Sequence, residues 1–531
     1  MTTTPDGNLY AALRAHFPAP LDDVAIETAD APADAVFTAL RYTWGDLERG
    51  SARMANLLVD LGLAPGARVL VHADKSVEAV MLYLAVLRAG LVHVPLNTAY
   101  QASELEYFIE NAEAQLVVCA PRNFAWISRL AFARGTRHVL TLGDDRSGSL
   151  LERAAQMDDA FATRARADDD LAAIIYTSGT TGRSKGAQLT HGNLRANAQT
   201  LHDAWQWREG APGGPRAGRD VLIHALPIFH VHGLFVALHG ALRAGARMLW
   251  FHRFDPHATI ARLPDASVFM GVPTLYVRLL AQGALTREAC AAMRLFVSGS
   301  APLLADTFAA WRERTGHALL ERYGMSETVM LTSNPYRPED ARRAGTVGAA
   351  LPGVGLRIHD DQGRPCAPGA IGNVEVRGPS VFAGYWRMPE KTREEFTADG
   401  WFRTGDVGTL DGAGVLTLVG RSKDLIISGG FNVYPAEIEG RINELAGVAE
   451  SAVVGVPHPD FGEAVVALVV ARAGATLDAD ALAATLKATI AGFKVPKHVR
   501  IVEALPRNAM GKVQKKLLRE ELAGLFAATA T

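Results

Sequence analysis

Tyr176-Thr177-Ser178-Gly179-Thr180-Thr181-Gly182-Arg183-Ser184-Lys185-Gly186 follows an apolar run over 171–175 and precedes a charged, helix-forming segment. That order reads as a strand, a hydroxyl-rich turn, then a helix. Gly179, Gly182 and Gly186 let backbone N–H groups converge on an anion, while five Ser/Thr hydroxyls and Lys185 add donors and positive charge. Such a loop suits a polyphosphate. It differs from the ordinary phosphate loop, which sets four residues between its first glycine and Gly-Lys-Ser/Thr; here two separate Gly179 from Gly182. Gly182-Arg183-Ser184-Lys185-Gly186 has the spelling of a hydrolase nucleophile elbow, but that elbow needs its serine at a sharp turn directly off the strand, and Ser184 comes well after Ile175.

Upstream, apolar periodicity predicts a strand over 68–72, a helix over 77–89, a strand over 91–95, and further strands over 116–119 and 139–142. This β-α-β alternation argues for a parallel sheet with helices on both faces. Downstream, strands are expected over 221–226, 267–270 and 295–297. From about 345 to 418 short alternating strands with Gly/Pro/Asp turns predict a small β-barrel-like unit. After Arg421-Ser422-Lys423-Asp424 strands and helices alternate again, as in a compact α+β domain. The expected fold class is therefore α/β, with a large N-terminal domain over 1–422 and a small, mobile α+β domain over 423–531.

At 531 residues the chain exceeds what a single core supports. Lys+Arg of 54 against Asp+Glu of 56 leaves a net charge of −2, so nothing global points to nucleic acid or an anionic membrane. Cys119, Cys290 and Cys366 are isolated and odd in number, which fits neither a disulfide framework nor a zinc site. The opening Met-Thr-Thr-Thr-Pro-Asp-Gly has no basic or apolar signal region, and the apolar segment 79–87 is too short to span a bilayer. A cytoplasmic protein with neither nucleic-acid nor membrane partners is expected.

Thr-Ser-Gly-Thr-Thr-Gly-x-Ser-Lys-Gly after an apolar strand resembles the signature of the adenylate-forming superfamily: acyl- and aryl-CoA synthetases, luciferases and nonribosomal adenylation domains. Further signatures recur in order along nearly the whole chain. The resemblance implies ATP, Mg²⁺ and coenzyme A, and it distributes roles over this sequence. Thr177, Ser178, Gly179, Thr180, Thr181, Gly182 and Lys185 would face the phosphates. In Glu321-Arg322-Tyr323-Gly324-Met325-Ser326-Glu327, Tyr323 would stack on adenine, Glu321 accept from its amine, and Glu327 hold Mg²⁺ with Thr177; a hard cation bridging phosphates wants such oxygen ligands. Arg322, Gly324, Met325 and Ser326 complete that nucleotide segment, and Ser300, Ala301 and Pro302 form a second.

Asp406, in Trp401-Phe402-Arg403-Thr404-Gly405-Asp406, would accept from both ribose hydroxyls. Arg421 would also meet the nucleotide, Lys423 occupies the hinge position, and Ser428, Gly429, Gly430 and Phe431 match the segment near coenzyme A. Pro506-Arg507-Asn508-Ala509-Met510-Gly511-Lys512 resembles the motif whose lysine reaches the substrate carboxylate and the α-phosphate, so Lys512 is the expected catalytic residue alongside Glu327.

Around the expected acyl pocket stand His230, Arg253, Arg278, Ser298 and Met325. Cationic donors there suggest a second carboxylate, and Pro-Ile-Phe-His-Val-His-Gly-Leu, Arg-Phe-Asp-Pro and Gly-Val-Pro-Thr-x-Tyr-x-Arg-Leu resemble the malonyl-CoA synthetase branch. His230-x-His232 on a strand would place both rings on one face, as a metal pair needs, but no nearby cysteine supplies a third ligand, and the resemblance makes this segment pocket wall. The expected activity is an AMP-forming acid–thiol ligase acting on malonate or methylmalonate, ATP and free coenzyme A, as monomer or homodimer, with a lysine acetyltransferase and deacetylase acting on Lys512. The alternatives are a short-chain or aryl acyl-CoA synthetase, or a nonenzymatic nucleotide sensor; intact Lys512, Glu327 and Asp406 argue against the sensor.

Overall fold

A computed structural model describes residues 7–29, 39–177, 184–208, 218–429, 431–508 and 511–526. They divide into two compact units, one of Met1–Ala344, Gly348–Gly355 and Arg377–Thr397, the other of Gly345–Val347, Leu356–Val376 and Ala398–Thr531.

The first unit carries two sheets. In one, the strands run in the order Gly384–Tyr385, Lys185–Thr190, Leu171–Thr177, Val92–Pro95, Arg68–His72, Leu116–Cys119, His138–Thr141. The last five are parallel, as the β-α-β reading requires. Helix Val77–Arg88 connects two of them; the Ser76 hydroxyl caps its first turn by accepting from Ala79 N–H at 3.1 Å, and every one of its residues is buried, which its all-round apolar composition allows. The helix expected directly after the glycine loop is a correction: Lys185–Thr190 is a strand antiparallel to Leu171–Thr177, and the helix, His191–Ala204, starts only after it. A capping box between Thr190 and Asn193 sets that start.

The second sheet orders Gly348–Ala350, Thr332–Ser333, Leu320–Tyr323, Leu295–Ser298, Val268–Gly271, Val221–His224, Arg247–Trp250, Val24–Thr28 and Arg41–Thr43. The six from Leu320–Tyr323 to Val24–Thr28 are mutually parallel, so their carboxyl ends lie along one edge, where ligands of open α/β sheets bind. Lys75 braces that edge, donating to the His224 and Phe251 carbonyls at 2.8 and 2.7 Å with its ammonium 4.2 Å from the Trp250 ring.

In the second unit the strands Gly355–His359, Gly372–Arg377, Phe402–Leu410 and Val415–Arg421 pair in linear order without closing, so the barrel-like expectation becomes an open array. A further sheet of Phe431–Val433, Ile426–Ser428, Gly462–Ala471, Val448–His458 and His498–Val502 is buried on both faces, by Pro435–Asn443 and Ala479–Thr489 on one and Lys515–Leu522 on the other. Among the described residues all three cysteines are free and no helix is long and apolar enough to cross a membrane.

Candidate active site

Ser178, Gly179, Thr180, Thr181, Gly182 and Gly430 lie outside the described residues. The ends of the glycine loop are held. Thr177 Oγ1 donates to the Lys185 carbonyl at 3.4 Å, and Lys185 Nζ stands 3.4 Å from Glu395 Oε1 and 4.2 Å from the centre of the Tyr385 ring. The same tyrosine donates its hydroxyl to Glu327 Oε1 at 3.0 Å in a buried bond. Tyr385 therefore carries the loop lysine on its face and the motif glutamate on its edge, while its backbone pairs with the strand that begins at Lys185. Sequence reasoning missed this residue, and its place 58 positions from Glu327 gave no local signal.

Leu320–Tyr323 and Leu295–Ser298 sort their motif residues by face. Ser298 and Glu321 are register partners, and each keeps a buried polar atom, Ser298 Oγ and Glu321 Oε2, without a partner among the described residues. Burial pushes the Glu321 carboxyl up to about 8, against the pull of its bond from Leu303 N–H at 3.2 Å and of Arg322. Tyr323 follows on the same face. Arg322 points the other way and lies against Gly299: a Cβ on that glycine would stand 2.5 Å from the guanidinium carbon, so any larger residue there would have to displace the guanidinium. The chain then turns through Ser300 at φ 71°, a left-handed conformation unusual for serine, with Oγ 3.3 Å from His232 Nδ1. Val329, two residues past Glu327, is held at φ 56°, strained for a β-branched side chain. Ala301, Gly324, Met325 and Ser326 are half-buried, and Pro302 is exposed.

The His230-x-His232 premise of a strand fails. His230 sits in a turn, its Nδ1 accepting from His232 N–H at 3.2 Å, and His232–Leu238 winds as a π-helix, a form common at functional sites. Gly233 is required there, since a Cβ would meet the Pro227 carbonyl oxygen at 2.1 Å. His232 is buried and held neutral, first by desolvation and then by Arg322. No cluster of three His, Cys, Asp or Glu side chains fit for a metal occurs among the described residues. Glu327, which accepts from Tyr385 on one oxygen, and Thr177 are each oxygen donors of the kind Mg²⁺ takes, an ion that needs one or two protein oxygens and completes its shell with phosphates and water. Arg253 and Arg278 are both exposed.

In the second unit Asp406 and Arg421 face each other on neighbouring strands, Nε to Oδ1 2.7 Å. Thr404 braces Asp406 within the strand, its hydroxyl donating to the Val374 carbonyl at 2.9 Å and accepting from Asp406 N–H at 3.1 Å. Lys512 is exposed as a residue, yet protein around its ammonium desolvates it and holds it below the usual lysine range, with Arg421 adding repulsion and Asp406 opposing. Lys423, in the turn Ser422–Asp424, is lowered to about 8 by desolvation and then by Arg421. Asp406, Arg421, Lys423 and Lys512 thus form one electrostatic group. Ser428 is buried, and Gly429 and Phe431 are exposed.

Each unit thus carries its own polar cluster: Lys185, Tyr385 and Glu327 in the first, and Asp406, Arg421 and Lys512 in the second. The chain belongs to the AMP-binding enzyme family: residues 21–386 match that family and residues 437–512 match the AMP-binding enzyme C-terminal domain. It is 34% identical to the malonate–CoA ligase of Arabidopsis thaliana, over 91% of this chain and 84% of that one. It is 34% identical to a feruloyl-CoA synthase of an Amycolatopsis species, over 91% and 95%. The crystal structure of ATP-bound MatB from Rhodopseudomonas palustris superposes with a TM-score of 0.92 at 50% identity, covering 98% of this chain and all of that one.

Proposed function

We propose that this protein is an AMP-forming acid–CoA ligase that joins malonate to coenzyme A through an acyl-adenylate. The observation that carries the reading is near full-length similarity to a malonate–CoA ligase, together with the match to the ATP-bound structure. A free carboxylate is a poor electrophile, because its charge is delocalised and its leaving group would be oxide. Attack of the carboxylate oxygen on the α-phosphorus expels pyrophosphate, and the mixed anhydride formed is open to the coenzyme A thiolate, which expels AMP.

In this reading Lys185 and the loop hydroxyls bind the β- and γ-phosphates, Tyr323 and Glu321 the adenine, and Asp406 the ribose. Lys512 stabilises charge on the α-phosphoryl group and serves only the first half-reaction. Glu327, with Thr177, would hold Mg²⁺, which when bound neutralises polyphosphate charge. Lys423 is the hinge about which residues 423–531 turn before thioester formation, when Ser428, Gly429 and Phe431 meet coenzyme A. A reducing cytoplasm suits three free thiols.

Feruloyl-CoA synthase at equal identity favours one second reading, an aryl acid as substrate. A panel of malonate, methylmalonate, propionate, butyrate and ferulate with ATP and coenzyme A decides. Malonate with the highest kcat/KM supports the proposal, whereas ferulate or butyrate ahead of it refutes it.

A further inference from the structure

Helix Pro389–Glu395 ends in two glutamates, Glu394 and Glu395, on the last turn, where the helix dipole favours cations and penalises carboxylates. The helix is anchored at both ends. The Thr392 hydroxyl accepts from Tyr385 N–H at 2.9 Å and donates to the Met388 carbonyl at 2.9 Å, and Phe396, just past the last turn, stacks on Phe382 with ring centres 5.9 Å apart. The helix is thereby tied to Tyr385, whose ring carries the Lys185 ammonium at 4.2 Å within the same unit. From this position Glu395 reaches Lys185, Oε1 to Nζ 3.4 Å, with the two side chains only 23% and 22% exposed. The same Oε1 lies 3.1 Å from Lys391 Nζ, which also meets Glu394 at 3.0 Å.

One carboxylate oxygen thus stands between two lysines that are not equivalent. Lys185 is the lysine assigned to the β- and γ-phosphates, and an ammonium on a flexible four-carbon stem can pass from one anion to another. A carboxylate left behind beside a polyphosphate would repel it, unless a second cation stays with the carboxylate. Lys391 is that cation. Hydrogen bonds to Glu394 and then Glu395 hold its ammonium above the usual lysine range, so it remains charged whichever partner Lys185 takes.

We propose that Glu395 is a positioning residue of the phosphate site: it holds Lys185 before the nucleotide binds, yields it to the β- and γ-phosphates, and recaptures it as pyrophosphate leaves, with Lys391 neutralising Glu395 in the interval. The role rests on the phosphate-binding reading of Lys185 and names what that lysine exchanges for. Glu395 and the phosphates compete for one ammonium, so Glu395 weakens the binding of ATP and pyrophosphate. Lys391 competes with Lys185 for Glu395 and so strengthens that binding. AMP, which lacks the β- and γ-phosphates, should feel neither residue.

The test measures the binding of ATP, pyrophosphate and AMP by calorimetry to the whole protein and to E395Q, E395D, K391M, the double variant E395Q/K391M, and K185M. E395Q is expected to bind ATP and pyrophosphate about three- to tenfold more tightly, and K391M about two- to fivefold more weakly, while AMP moves by less than about twofold in either. The double variant should match E395Q, because Lys391 acts only through Glu395. E395D, whose shorter arm draws the carboxylate back from Lys185, should shift in the same direction as E395Q by less, and it keeps the test decisive if E395Q does not fold. Damage to the helix alone would weaken all three ligands in every variant, so the opposed signs and the indifference of AMP are what a structural role cannot produce. ATP and pyrophosphate affinities within about twofold of wild type in E395Q and E395D overturn the proposal, as do changes of the same sign in E395Q and K391M, or a double variant that keeps the full K391M loss. Unchanged ATP and pyrophosphate binding in K185M overturns the phosphate reading of Lys185 and the exchange with it, whereas a loss in K185M beside an unchanged E395Q overturns the exchange alone.

Discussion

Tyr385→Phe removes one hydroxyl and little else, which makes it the sharpest probe of how the proposed phosphate site is assembled. The ring stays, so the contact with the Lys185 ammonium at 4.2 Å and the packing of the strand pair are preserved. What disappears is the buried bond from Oη to Glu327 Oε1 at 3.0 Å. A hydrogen bond to a charged group contributes about 1.5–3 kcal/mol, and each 1.4 kcal/mol is about tenfold in rate. Adenylation should therefore slow by about ten- to 150-fold if the bond holds Glu327 in its working rotamer. The assay is malonate-dependent ATP–pyrophosphate exchange across a Mg²⁺ titration, with thioester formation from supplied malonyl-AMP as the control. The exchange curve should shift to higher Mg²⁺ while the control stays near wild type. Tyr385→Ala adds the loss of the cation–π contact and a cavity costing about 3–5 kcal/mol, so it should also melt earlier. Equal loss of both half-reactions in Tyr385→Phe, or an unshifted Mg²⁺ curve, refutes the assignment of Tyr385 as the positioner of Glu327.

Lys512→Ala should abolish most malonyl-AMP formation yet convert supplied malonyl-AMP and coenzyme A to thioester; acetylation of Lys512, which removes the charge, should mimic it, and full activity of the acetylated protein would contradict the role. Lys423→Pro fixes φ at the proposed hinge and should slow the complete turnover more than either half-reaction, whereas uniform loss would indicate misfolding. Thermal unfolding followed from pH 7 to pH 5 tests the buried histidines. His93 and His239 are lowered to about 3 by desolvation, so between that value and 6.5 the unfolded chain binds more protons and stability falls on acidification, by up to about 1.4 kcal/mol per pH unit for each histidine. Replacing His239, whose Nε2 meets the Tyr83 hydroxyl at 2.8 Å, with Gln should flatten that slope; an unchanged slope would show that other groups cause the acid sensitivity.

Much of this architecture is legible because strands of parallel sheets are short, apolar and punctuated by glycine, as at 68–72, 116–119 and 171–177. Lys185-Gly-Ala-Gln-Leu-Thr was harder to read. Its half-polar composition suits a helix as well as a strand, and pairing with Leu171–Thr177 is a tertiary effect. The sequence shows Glu321 and Arg322 as neighbours in one signature but not the sides they present, which diverge because side chains alternate along a strand. Tyr385 and Glu327 meet through folding alone. Arg253 and Arg278 stood out by charge, whereas their exposure is set by neighbours that spacing does not reveal.

The π-helix at His232–Leu238 gives this pocket an unusual evolutionary handle. A π turn is an α-helix with one residue inserted, so deleting a single residue between 234 and 238 would restore the tighter winding and turn the segment before the deletion by about 100° relative to the helix after it. His232 would swing with it, away from Arg322, while the buried sheet beneath stayed in register. One codon gained or lost would thus re-aim the wall of the proposed acyl pocket, giving a relative of this chain a path to a different acid without rebuilding the proposed nucleotide site.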